Sequence, residues 1–404
     1  MHPSARLKGA RDSRLNGNRI ILCVTGSIAA VETVKLAREL IRHGAEVVPV
    51  MSAKAQRIVS PDALEFACGV RPVTELTGAV EHITMFGEGR KHMVLVAPAT
   101  ADAISKISMG IADDALTTVC LNALGLGVPM VIAPAMGRSM LNNPFLSRNM
   151  ERLRRQGVAV LPSFIDEDEA KILDSTYIME TAARTFSAGL LKGRNVLVVG
   201  GASEEPIDDI RVISSRSSGR TAAEIASAAF EEKASVSVWC GRVTEEMPSY
   251  VRCSQFGSIS GLISMAKGKK FDIVIVPASL SDFIPLRKKG KIPSGEGALS
   301  LDLEPAPKFI DSIRKRCNML VAFKAGAGSE KELLEDARKR MRAGGIDIIV
   351  ANNVADVSRD TTRAHIITAS SVETVAGSKR ELAVALVRAV AKTGGRGRRP
   401  RSPP

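Results

Sequence analysis

The stretch Arg19–Ala30, RIILCVTGSIAA, decides the fold of the first half of the chain. Its short continuous apolar run is typical of a strand that is buried on both faces. The run ends in Thr25-Gly26-Ser27, and a helical pattern follows to Arg42. Small residues between a strand and a helix let a phosphate group approach backbone N–H groups at the positive helix end. The stretch therefore predicts a parallel α/β sheet with a candidate phosphate-binding turn, and a plain tight turn is the alternative.

Similar apolar runs recur along the chain and indicate two sheets. In the first half they are Glu46–Met51, Met93–Ala97 and Val128–Ala133, with helical patterns from Ala101 and around Asn142–Gln156. In the second half they are Asn195–Val199, Ser235–Trp239, Phe271–Val276, Leu320–Phe323, Ile346–Ala351 and a late strand at His365–Thr368. Short strands that alternate with helices predict parallel sheets covered on both faces. We therefore predict two doubly wound, Rossmann-like α/β domains, at residues 19–188 and 189–391.

The formal net charge of +13 is concentrated at the two ends of the chain. Residues 1–19 hold five Lys or Arg against one Asp, and residues 392–404 hold five basic residues and no acidic one. We expect disordered basic tails at 1–18 and 392–404. Because aromatic residues make up only 3% of the chain and the body between the tails is nearly balanced, the composition argues against nucleic acid as a ligand.

The composition also indicates in which cellular compartment the protein resides. The apolar runs are far shorter than the roughly 20 residues that cross a bilayer. No apolar stretch of a secretory signal precedes Arg19. The six cysteines are far apart and form no C-x-x-C pair, so their spacing indicates neither a zinc site nor a redox dithiol, and metal ligands stay unassigned. These features predict a protein of the reducing cytoplasm that spans no membrane.

Ligands of open parallel sheets bind at the carboxyl ends of the strands. The residues there are Gly26, Ser27, Ser52, Pro98–Asp102, Pro134–Met136, Gly200–Asp208, Pro277–Asp282 and Asn352-Asn353. His82 follows Glu81 in an irregular stretch, and such a lone histidine is either catalytic or structural. Lys288, Lys289 and Lys291 lie in a Gly/Pro-rich loop, which is either a solvated surface run or a mobile loop that meets a nucleotide triphosphate.

About residues 19–390 resemble the bifunctional phosphopantothenoylcysteine decarboxylase/phosphopantothenate–cysteine ligases of coenzyme A synthesis, in wording most like the archaeal form. The matching segments of the first half are TGSIAAVETVKLAREL (25–40), EHIT (81–84), APATADAISKISMGIADD (97–114) and APAMGRSM (133–140). Those of the second half are EEPIDDIRVISSRSSGR (204–220), PASLSDF (277–283), GKIPS (290–294), EPAPKFI (304–310), VAFKA (321–325) and DIIVANNV (347–354). So many segments in the same order make a chance similarity improbable.

The resemblance implies that the first half is an FMN-dependent decarboxylase. In that family the flavin oxidises the cysteinyl thiol side to a thioaldehyde, CO2 departs, and the reduced flavin returns the electrons. His82 matches the catalytic histidine, which acts as a base during thiol oxidation. The positions that match the flavin and substrate contacts are Gly26, Ser27, Ser52, Pro98, Thr100, Asp102 and Met136.

The resemblance implies that the second half is a ligase that uses CTP and Mg2+. In the family, the carboxylate of 4′-phosphopantothenate attacks the α-phosphate of CTP, and the cysteine amine then displaces CMP from the acyl-cytidylate. Lys291 matches the lysine of the mobile loop, and Ser215 stands where the family has an Asn that turns over the acyl-cytidylate. The positions that match nucleotide contacts are Ala278, Asp282, Lys291, Pro307, Lys308, Phe309, Ile310, Phe323 and Arg340.

The family also implies a homo-oligomer, at least a dimer and as large as a dodecamer-like assembly. The sequence departs from the family pattern at Asp102 and Ser215 (both usually Asn), at Gly137 (usually Asn or His) and at Glu204 (usually Arg), and 166–171 lacks the Cys of the bacterial clamp loop. These departures leave open a diverged member with one active half, or a non-catalytic regulatory subunit that binds FMN. A third possibility, an NAD(P)-dependent oxidoreductase, is disfavoured because G-x-G-x-x-G is missing.

Overall fold

The computed structural model of the chain describes residues 2–166, 169–171, 174–293 and 299–394. The chain divides into two compact units, Met1–Phe186 and Ser187–Pro404. Within the described residues, no helix combines the length and the hydropathy that a membrane span requires.

The first unit is built on a five-stranded parallel sheet. Its strands are β1 (Asn18–Val24), β2 (Glu46–Met51), β3 (Lys91–Ala99), β4 (Met130–Pro134) and β5 (Ala159–Val160). Their spatial order is β2-β1-β3-β4-β5, and every neighbouring pair is parallel. A separate hairpin consists of β6 (Phe164–Asp166) and β7 (Glu169–Lys171). The order reverses at β1, as it does in doubly wound sheets, and the prediction of this fold class is confirmed.

Helices cover both faces of this sheet. They are α1 (Pro3–Leu7), α2 (Thr33–Arg42), α3 (Pro61–Cys68), α4 (Glu81–Thr84), α5 (Ala101–Met109), α6 (Ala115–Gly125), α7 (Arg138–Leu141), α8 (Pro144–Arg155) and α9 (Ser175–Phe186), with 3-10 turns at Ile28–Glu32 and Ala55–Arg57. Successive residues of β1 point to opposite faces. Ile20 and Leu22 pack in one apolar cluster with α2 and α3, whereas Ile21 and Cys23 pack in another with α5 and α6. Burial on both faces explains why β1 reads as a continuous apolar run.

The predicted disorder of residues 1–18 is wrong. Helix α1 begins the described chain, and Leu15 is fully buried in the core of the first unit. The backbone N–H of Leu15 donates to the His43 carbonyl at the end of α2 (2.8 Å). The Arg14 guanidinium lies 2.7 Å from the buried Glu180 carboxylate. Three of the five basic residues that suggested a solvated tail, Arg11, Arg14 and Arg19, are therefore held by carboxylates of the folded unit.

A buried His43 completes this N-terminal cluster. Its Nδ1 lies 2.8 Å from Oδ1 of Asp12, and its Nε2 lies 3.3 Å from Oε1 of Glu39. Burial alone would raise the pKa of Asp12, but the His43 hydrogen bond and the Arg14 charge hold that pKa well below its usual range. The segment is thus tied to α2 by both backbone and side-chain contacts.

The second unit holds an eight-stranded sheet. In chain order the strands of the unit are β8 (Asn195–Gly200), β9 (Glu204–Pro206), β10 (Val212–Ser214), β11 (Ser235–Cys240), β12 (Arg252–Gln255), β13 (Phe271–Val276), β14 (Phe283–Pro285), β15 (Leu303–Pro305), β16 (Cys317–Gly326), β17 (Ile348–Val357), β18 (Thr361–Ile367) and β19 (Val372–Ser378). The sheet order is β12-β11-β8-β13-β16-β17-β18-β19. The pairs β9-β10 and β14-β15 are small antiparallel ladders outside it. The helices are α10 (Arg220–Glu231), α11 (Ile259–Ala266), α12 (Phe309–Arg314), α13 (Glu330–Ala343) and α14 (Lys379–Gly394).

The first six strands of this sheet are parallel, as predicted, and the last two are antiparallel. Short turns join β17 to β18 and β18 to β19, for example the turn closed by the Ser358 N–H and the Thr361 carbonyl (3.0 Å). A parallel connection needs a crossover of about a dozen residues or more, so these turns force antiparallel pairing. At the carboxyl end of the chain, α14 continues through Gly394, three residues into the predicted tail; the rest of that tail, 395–404, lies outside the described residues.

Candidate functional site

Hydrogen bonds join the carboxyl ends of β1, β3 and β4 in the first unit. The hydroxyl of Thr25 donates to the Pro98 carbonyl (2.7 Å) and accepts from the Thr100 N–H (3.0 Å). The hydroxyl of Ser27 donates to the Ala135 carbonyl (3.1 Å). These bonds bring the predicted positions Ser27, Pro98 and Thr100 together at one edge of the sheet. Thr25, which the sequence did not single out, is the buried centre of this network.

The turn after β2 closes over Gly26. The Ser52 N–H donates to the Val24 carbonyl (3.1 Å), and the Ser52 hydroxyl accepts from the Ala55 N–H (3.2 Å). A Cβ built on Gly26 would lie only 2.3 Å from the Cβ of Lys54. Because real Cβ atoms do not approach so closely, only glycine fits at this position without a shift of the Lys54 turn.

Two helical segments start at this edge. The Ser27 hydroxyl accepts from the Ala29 N–H (3.4 Å) at the start of a 3-10 turn, and the Thr100 hydroxyl accepts from the Ala103 N–H (3.3 Å) at the start of α5. Helix starts carry N–H groups without intrahelical partners and a partial positive charge. The edge is therefore suited to the phosphate of a bound cofactor.

Asp102, one of the departures from the family pattern, lies beside two lysines. Its Oδ2 is 3.5 Å from Nζ of Lys106 and 3.7 Å from Nζ of Lys54. The carboxylate of Asp113 lies 2.9 Å from Lys106 and, with Asp102, raises the pKa of that lysine above its ordinary value. The two ammonium groups offset the negative charge of Asp102.

His82 lies on the short helix α4, which packs against α6. Its carbonyl accepts from the side-chain amide of Asn122 (2.5 Å). Its Nδ1 is buried and has no hydrogen-bond partner among the described residues. The hydrogen bonds and ion pairs described for the first unit do not link His82 to the turns around Thr25, so its relation to that edge stays a prediction.

Met136 and Gly137 follow β4. The Met136 side chain is 8% exposed and packs in the apolar cluster with Ile104 and Leu116, so it is part of the apolar core of the first unit. Gly137 precedes the short helix α7. The side chains of the stretch aligned with the bacterial clamp loop, 166–171, lie outside the described residues.

A comparable network joins the turns after β8 and β13 in the second unit. The Ser279 N–H donates to the Gly201 carbonyl (2.8 Å), and the Ser203 N–H donates to the Ser279 carbonyl (3.3 Å). The Ser203 hydroxyl donates to the hydroxyl of Ser281 (3.1 Å) and accepts from its N–H (3.1 Å). The Ser214 hydroxyl donates to the Ser203 carbonyl (2.8 Å). Ser203, fully buried, thus connects the two ranges that the sequence assigned to the ligand edge, 200–208 and 277–282, with Ser214 of β10.

Glu204, the second acidic departure, also has a basic neighbour. Its Oε1 lies 3.7 Å from the Arg242 guanidinium, and its N–H donates to the Gly257 carbonyl (2.8 Å). Ser215 is exposed in the segment between β10 and α10. The charge of Glu204 is therefore partly balanced within the unit.

Several predicted nucleotide positions meet around Asp282, which follows the turn that contains Ala278. Its carboxylate lies 2.5 Å from Nζ of Lys308, and its carbonyl accepts from the Ala306 N–H (2.9 Å). These contacts bring together the two predicted residues Asp282 and Lys308. Pro307 is exposed beside Lys308, the Phe309 side chain is buried at the start of α12, and Ile310 is half-buried in the same helix.

Phe323 and Arg340 occupy different parts of the unit. Phe323 is half-buried on β16, against the apolar cluster that contains Val350. Arg340 lies ten residues beyond the first residue of α13, about 15 Å along the helix axis. No hydrogen bond or ion pair among the described residues links the Arg340 side chain to the turns of the carboxyl edge, so its contact with the nucleotide stays a prediction.

Lys291 is exposed, and within the described residues no partner of its ammonium group is present. No group of three or more His, Cys, Asp or Glu suited to a metal ion occurs in the described part of the chain. The residues described here therefore do not assign protein ligands to Mg2+.

Two family models match the chain, one for each unit. The Flavoprotein model matches residues 9–187, and the DNA/pantothenate metabolism flavoprotein C-terminal domain matches residues 191–393.

Two curated relatives and two solved structures are similar to the chain. The coenzyme A biosynthesis bifunctional protein CoaBC of Thermococcus kodakarensis is 41% identical over 365 residues, which cover 88% of this chain and 90% of the relative. Its namesake from Methanocaldococcus jannaschii is 34% identical over 401 residues, with coverages of 97% and 98%. The DNA/pantothenate metabolism flavoprotein of Streptococcus pneumoniae aligns with a TM-score of 0.46 at 21% identity, over 50% of this chain and 99% of its own. The FMN-dependent cysteine decarboxylase SpaF aligns with a TM-score of 0.38 at 28% identity, over 42% and 98%.

Proposed function

The chain belongs to the family of bifunctional coenzyme A biosynthesis proteins, and we propose that its two units catalyse successive steps of that synthesis. The second unit condenses 4′-phosphopantothenate with cysteine at the expense of CTP, with Mg2+ as the metal ion. The first unit then decarboxylates 4′-phosphopantothenoylcysteine to 4′-phosphopantetheine with FMN. The observation that carries this proposal is that one chain holds both domains of the family, each with its candidate ligand turns at the carboxyl edge of a parallel sheet.

The edge around Gly26 fits the phosphate end of FMN. A Cβ at this position would fill the space beside Lys54, and the N–H groups that start the 3-10 turn and α5 lie at the same edge. Bound FMN would supply the oxidation of the thiol side and the later return of the electrons. The residues Gly26, Ser27, Ser52 and Thr100 would hold its phosphate end through backbone N–H groups and hydroxyls.

The polar side chains near this edge handle the substrate. Lys54 and Lys106 would attract the carboxylate that is lost as CO2. The Asp102 carboxylate would partly neutralise their positive charge. His82 would accept the thiol proton at its imidazole ring. An imidazole suits this role because it can both accept and release a proton under physiological conditions.

In the second unit, cations would stabilise the nucleotide during attack on its α-phosphate. The substrate carboxylate forms a bond to phosphorus, and pyrophosphate leaves with the electron pair of the broken P–O bond. Lys291 would offset the developing negative charge, and Lys308, held by Asp282, would stand beside the nucleotide. Ser215 would contact the acyl-cytidylate before the cysteine amine displaces CMP.

We propose further that the first unit assembles with copies of itself. Ile28 and Val31, in the helical segment after the phosphate turn, are 74% and 53% exposed, and Phe145 is 70% exposed at the start of α8. Large exposed apolar side chains near a ligand edge are typical of surfaces that meet another protein. A homo-oligomer, as large as the dodecamer-like assembly that the family suggests, would cover them.

The small-molecule substrates and the free thiols agree with a cytoplasmic location. All six cysteines are free, including the buried Cys23 and Cys120. Free cysteines persist in reducing compartments. The two acidic departures, Asp102 and Glu204, each have a basic neighbour, and no observation favours the alternative of a non-catalytic regulatory subunit.

A direct test compares the wild-type chain with His82→Asn. We expect the purified wild type to show flavin absorption and to release CO2 from 4′-phosphopantothenoylcysteine. The substitution is expected to lower that rate about a hundredfold or more while flavin absorption is kept. His92→Asn in β3 is the matched control, because His92 packs edge-on against Phe86 away from the turns. Equal decarboxylation rates for His82→Asn and wild type would contradict the proposed role.

A further inference from the structure

The segment that carries Lys291 is tied back to a turn of the same unit. We call residues 207–211, between β9 and β10, the anchoring turn. The Lys288 N–H donates to the Ile207 carbonyl (2.9 Å). On the other side of Lys291, the Arg211 guanidinium donates to the Ile292 carbonyl (3.1 Å). The lysine-rich loop, predicted as a solvated run or a mobile loop, is therefore attached through its backbone.

Asp208 is the centre of the anchoring turn. Its Oδ1 accepts from the N–H groups of Ile210 (2.8 Å) and Arg211 (2.6 Å). Its Oδ2 accepts from the Arg211 guanidinium (2.6 Å) and from the Ile292 N–H (3.0 Å). The Asp208 side chain is 0% exposed. One buried carboxylate thus joins its own turn to the segment that carries the lysine.

Asp209 holds the segment from the preceding side. Its carboxylate accepts from the Arg287 guanidinium (2.8 Å) and from the Gly290 N–H (3.1 Å), and its N–H donates to the Gly290 carbonyl (3.3 Å). Lys291 therefore lies between two residues, Gly290 and Ile292, whose backbones are both bonded to the anchoring turn. The Lys291 side chain itself is exposed to solvent.

This arrangement has a chemical consequence. The backbone N–H groups of Arg211 and Ile292 hold the pKa of Asp208 well below its ordinary range, so the carboxylate is charged at neutral pH. Hydrogen bonds to a charged acceptor are stronger than bonds between neutral groups. A fixed backbone on both sides of Lys291 lowers the entropy lost when its ammonium group meets a triphosphate.

We propose that Asp208 and Asp209 are positioning residues of the ligase reaction, which present Lys291 to the nucleotide by fixing the backbone on either side of it. This inference rests on the proposed function of the second unit. Neither carboxylate has to touch the substrate, because each acts through the segment that it holds.

The kinetic test uses the full chain with Asp208→Asn, Asp209→Asn and Lys291→Ala. Asparagine keeps the shape of Asp208 but carries no charge. Its NH2 group would face N–H donors that now bond to a carboxylate oxygen. We expect the ligase kcat/KM to fall about tenfold or more for Asp208→Asn and less for the half-exposed Asp209→Asn. Asp302→Asn is the matched control, since this exposed carboxylate immediately before β15 has no side-chain partner among the described residues. Decarboxylation of added 4′-phosphopantothenoylcysteine is expected to stay unchanged in all four variants.

A double-mutant cycle separates positioning from general damage. If Asp208 acts through Lys291, then Asp208→Asn causes little further loss in a Lys291→Ala background. Losses that multiply independently would overturn the proposal, as would an unchanged ligase rate in both Asp208→Asn and Asp209→Asn. Asp209→Asn keeps the test valid if Asp208→Asn does not fold. The Asp209 carboxylate is half-exposed, so its replacement leaves no unsatisfied group in the buried interior.

Limited proteolysis gives a readout that does not depend on activity. Trypsin cuts after lysine, and the fixed backbone around Lys291 is expected to protect it in the wild type. We expect cleavage after Lys288, Lys289 or Lys291 to be several-fold faster in Asp208→Asn than in wild type or Asp302→Asn. Equal cleavage rates would overturn the proposal. If the wild-type chain forms no 4′-phosphopantothenoylcysteine, the proposed function fails, whereas the cleavage rates still report whether the anchoring turn holds the segment.

Discussion

At the scale of single residues, the Thr25 hydroxyl holds the turns of the site together, although no local sequence pattern predicts this role. The sequence identifies Gly26 and Ser27 because small residues between a strand and a helix are a local pattern. Thr25 is a polar residue at the end of an apolar run, and its partner carbonyl belongs to Pro98, 73 residues away. Only the folded sheet brings the two together, so its role could not be predicted locally.

We expect Thr25→Val to destabilise the first unit by about 1–3 kcal/mol, because it leaves the Pro98 carbonyl and the Thr100 N–H without a partner in a buried site. Flavin retention on gel filtration is expected to fall as the turns loosen. Chemical denaturation of wild type, Thr25→Val and Thr25→Ser measures the free energy of unfolding of each. Thr25→Ser keeps the hydroxyl and should stay near the wild type; equal losses for both variants would contradict the role of the hydroxyl.

The pKa of Asp208 gives a pH prediction of known sign. Backbone N–H groups lower this pKa in the folded state, so the carboxylate stabilises the fold above the unfolded value of about 3.9. This contribution is lost as the pH falls below that value toward the folded pKa. Thermal unfolding of wild type and Asp208→Asn between about pH 7 and pH 3 should therefore show a difference in melting temperature that shrinks on acidification. A difference that is constant over this range would exclude the carboxylate charge as its cause.

At the scale of elements, the sequence did not predict the packed N-terminal segment, strand β19 or the antiparallel pairing at the end of the second sheet. Five basic residues against one acid in 1–19 resemble a solvated tail. However, Glu39, Glu180 and Glu46, which pair with Arg11, Arg14 and Arg19, are distant from them in sequence. Likewise β18 and β19 pair as antiparallel strands because their turns are short, whereas only the apolar run at His365–Thr368 was visible. The central strands were predicted because burial on both faces leaves a continuous apolar run.

We expect Leu15→Ala to lower the free energy of unfolding by about 2–5 kcal/mol, as in other large-to-small changes in a packed core. Leu15 is fully buried, although it lies in the segment that the composition describes as a basic tail. Arg6→Ala, an exposed change on α1, should stay within about 0.5 kcal/mol of wild type. Equal stability of Leu15→Ala and Arg6→Ala in urea denaturation would mean that the segment is not packed.

At the scale of the whole molecule, each unit has its own core. Two apolar clusters flank the sheet of the first unit and two others flank the sheet of the second, and no residue belongs to both units. The two-domain division was visible in the sequence because the strand–helix pattern restarts after Gly189. The site residues are predicted less completely, since Ser203, whose hydrogen bonds connect the turns, was only one member of a predicted range.

Separate expression of residues 1–186 and 187–404 tests this independence. Because each unit buries its own apolar clusters, we expect both to fold alone, the first with flavin absorption and the second with CTP-dependent ligation. Absorption spectra and product masses for each half report the outcome. Halves that are inactive apart but active when expressed together would show instead that the units depend on each other for folding.

The most direct test of the account is one incubation of the purified full chain with 4′-phosphopantothenate, cysteine, CTP and Mg2+, with the products followed by mass. The account predicts that 4′-phosphopantothenoylcysteine forms first and then loses CO2 to give 4′-phosphopantetheine, while the protein keeps a flavin spectrum. Failure to convert either 4′-phosphopantothenate or added 4′-phosphopantothenoylcysteine, in a protein that is folded and holds FMN, would contradict it.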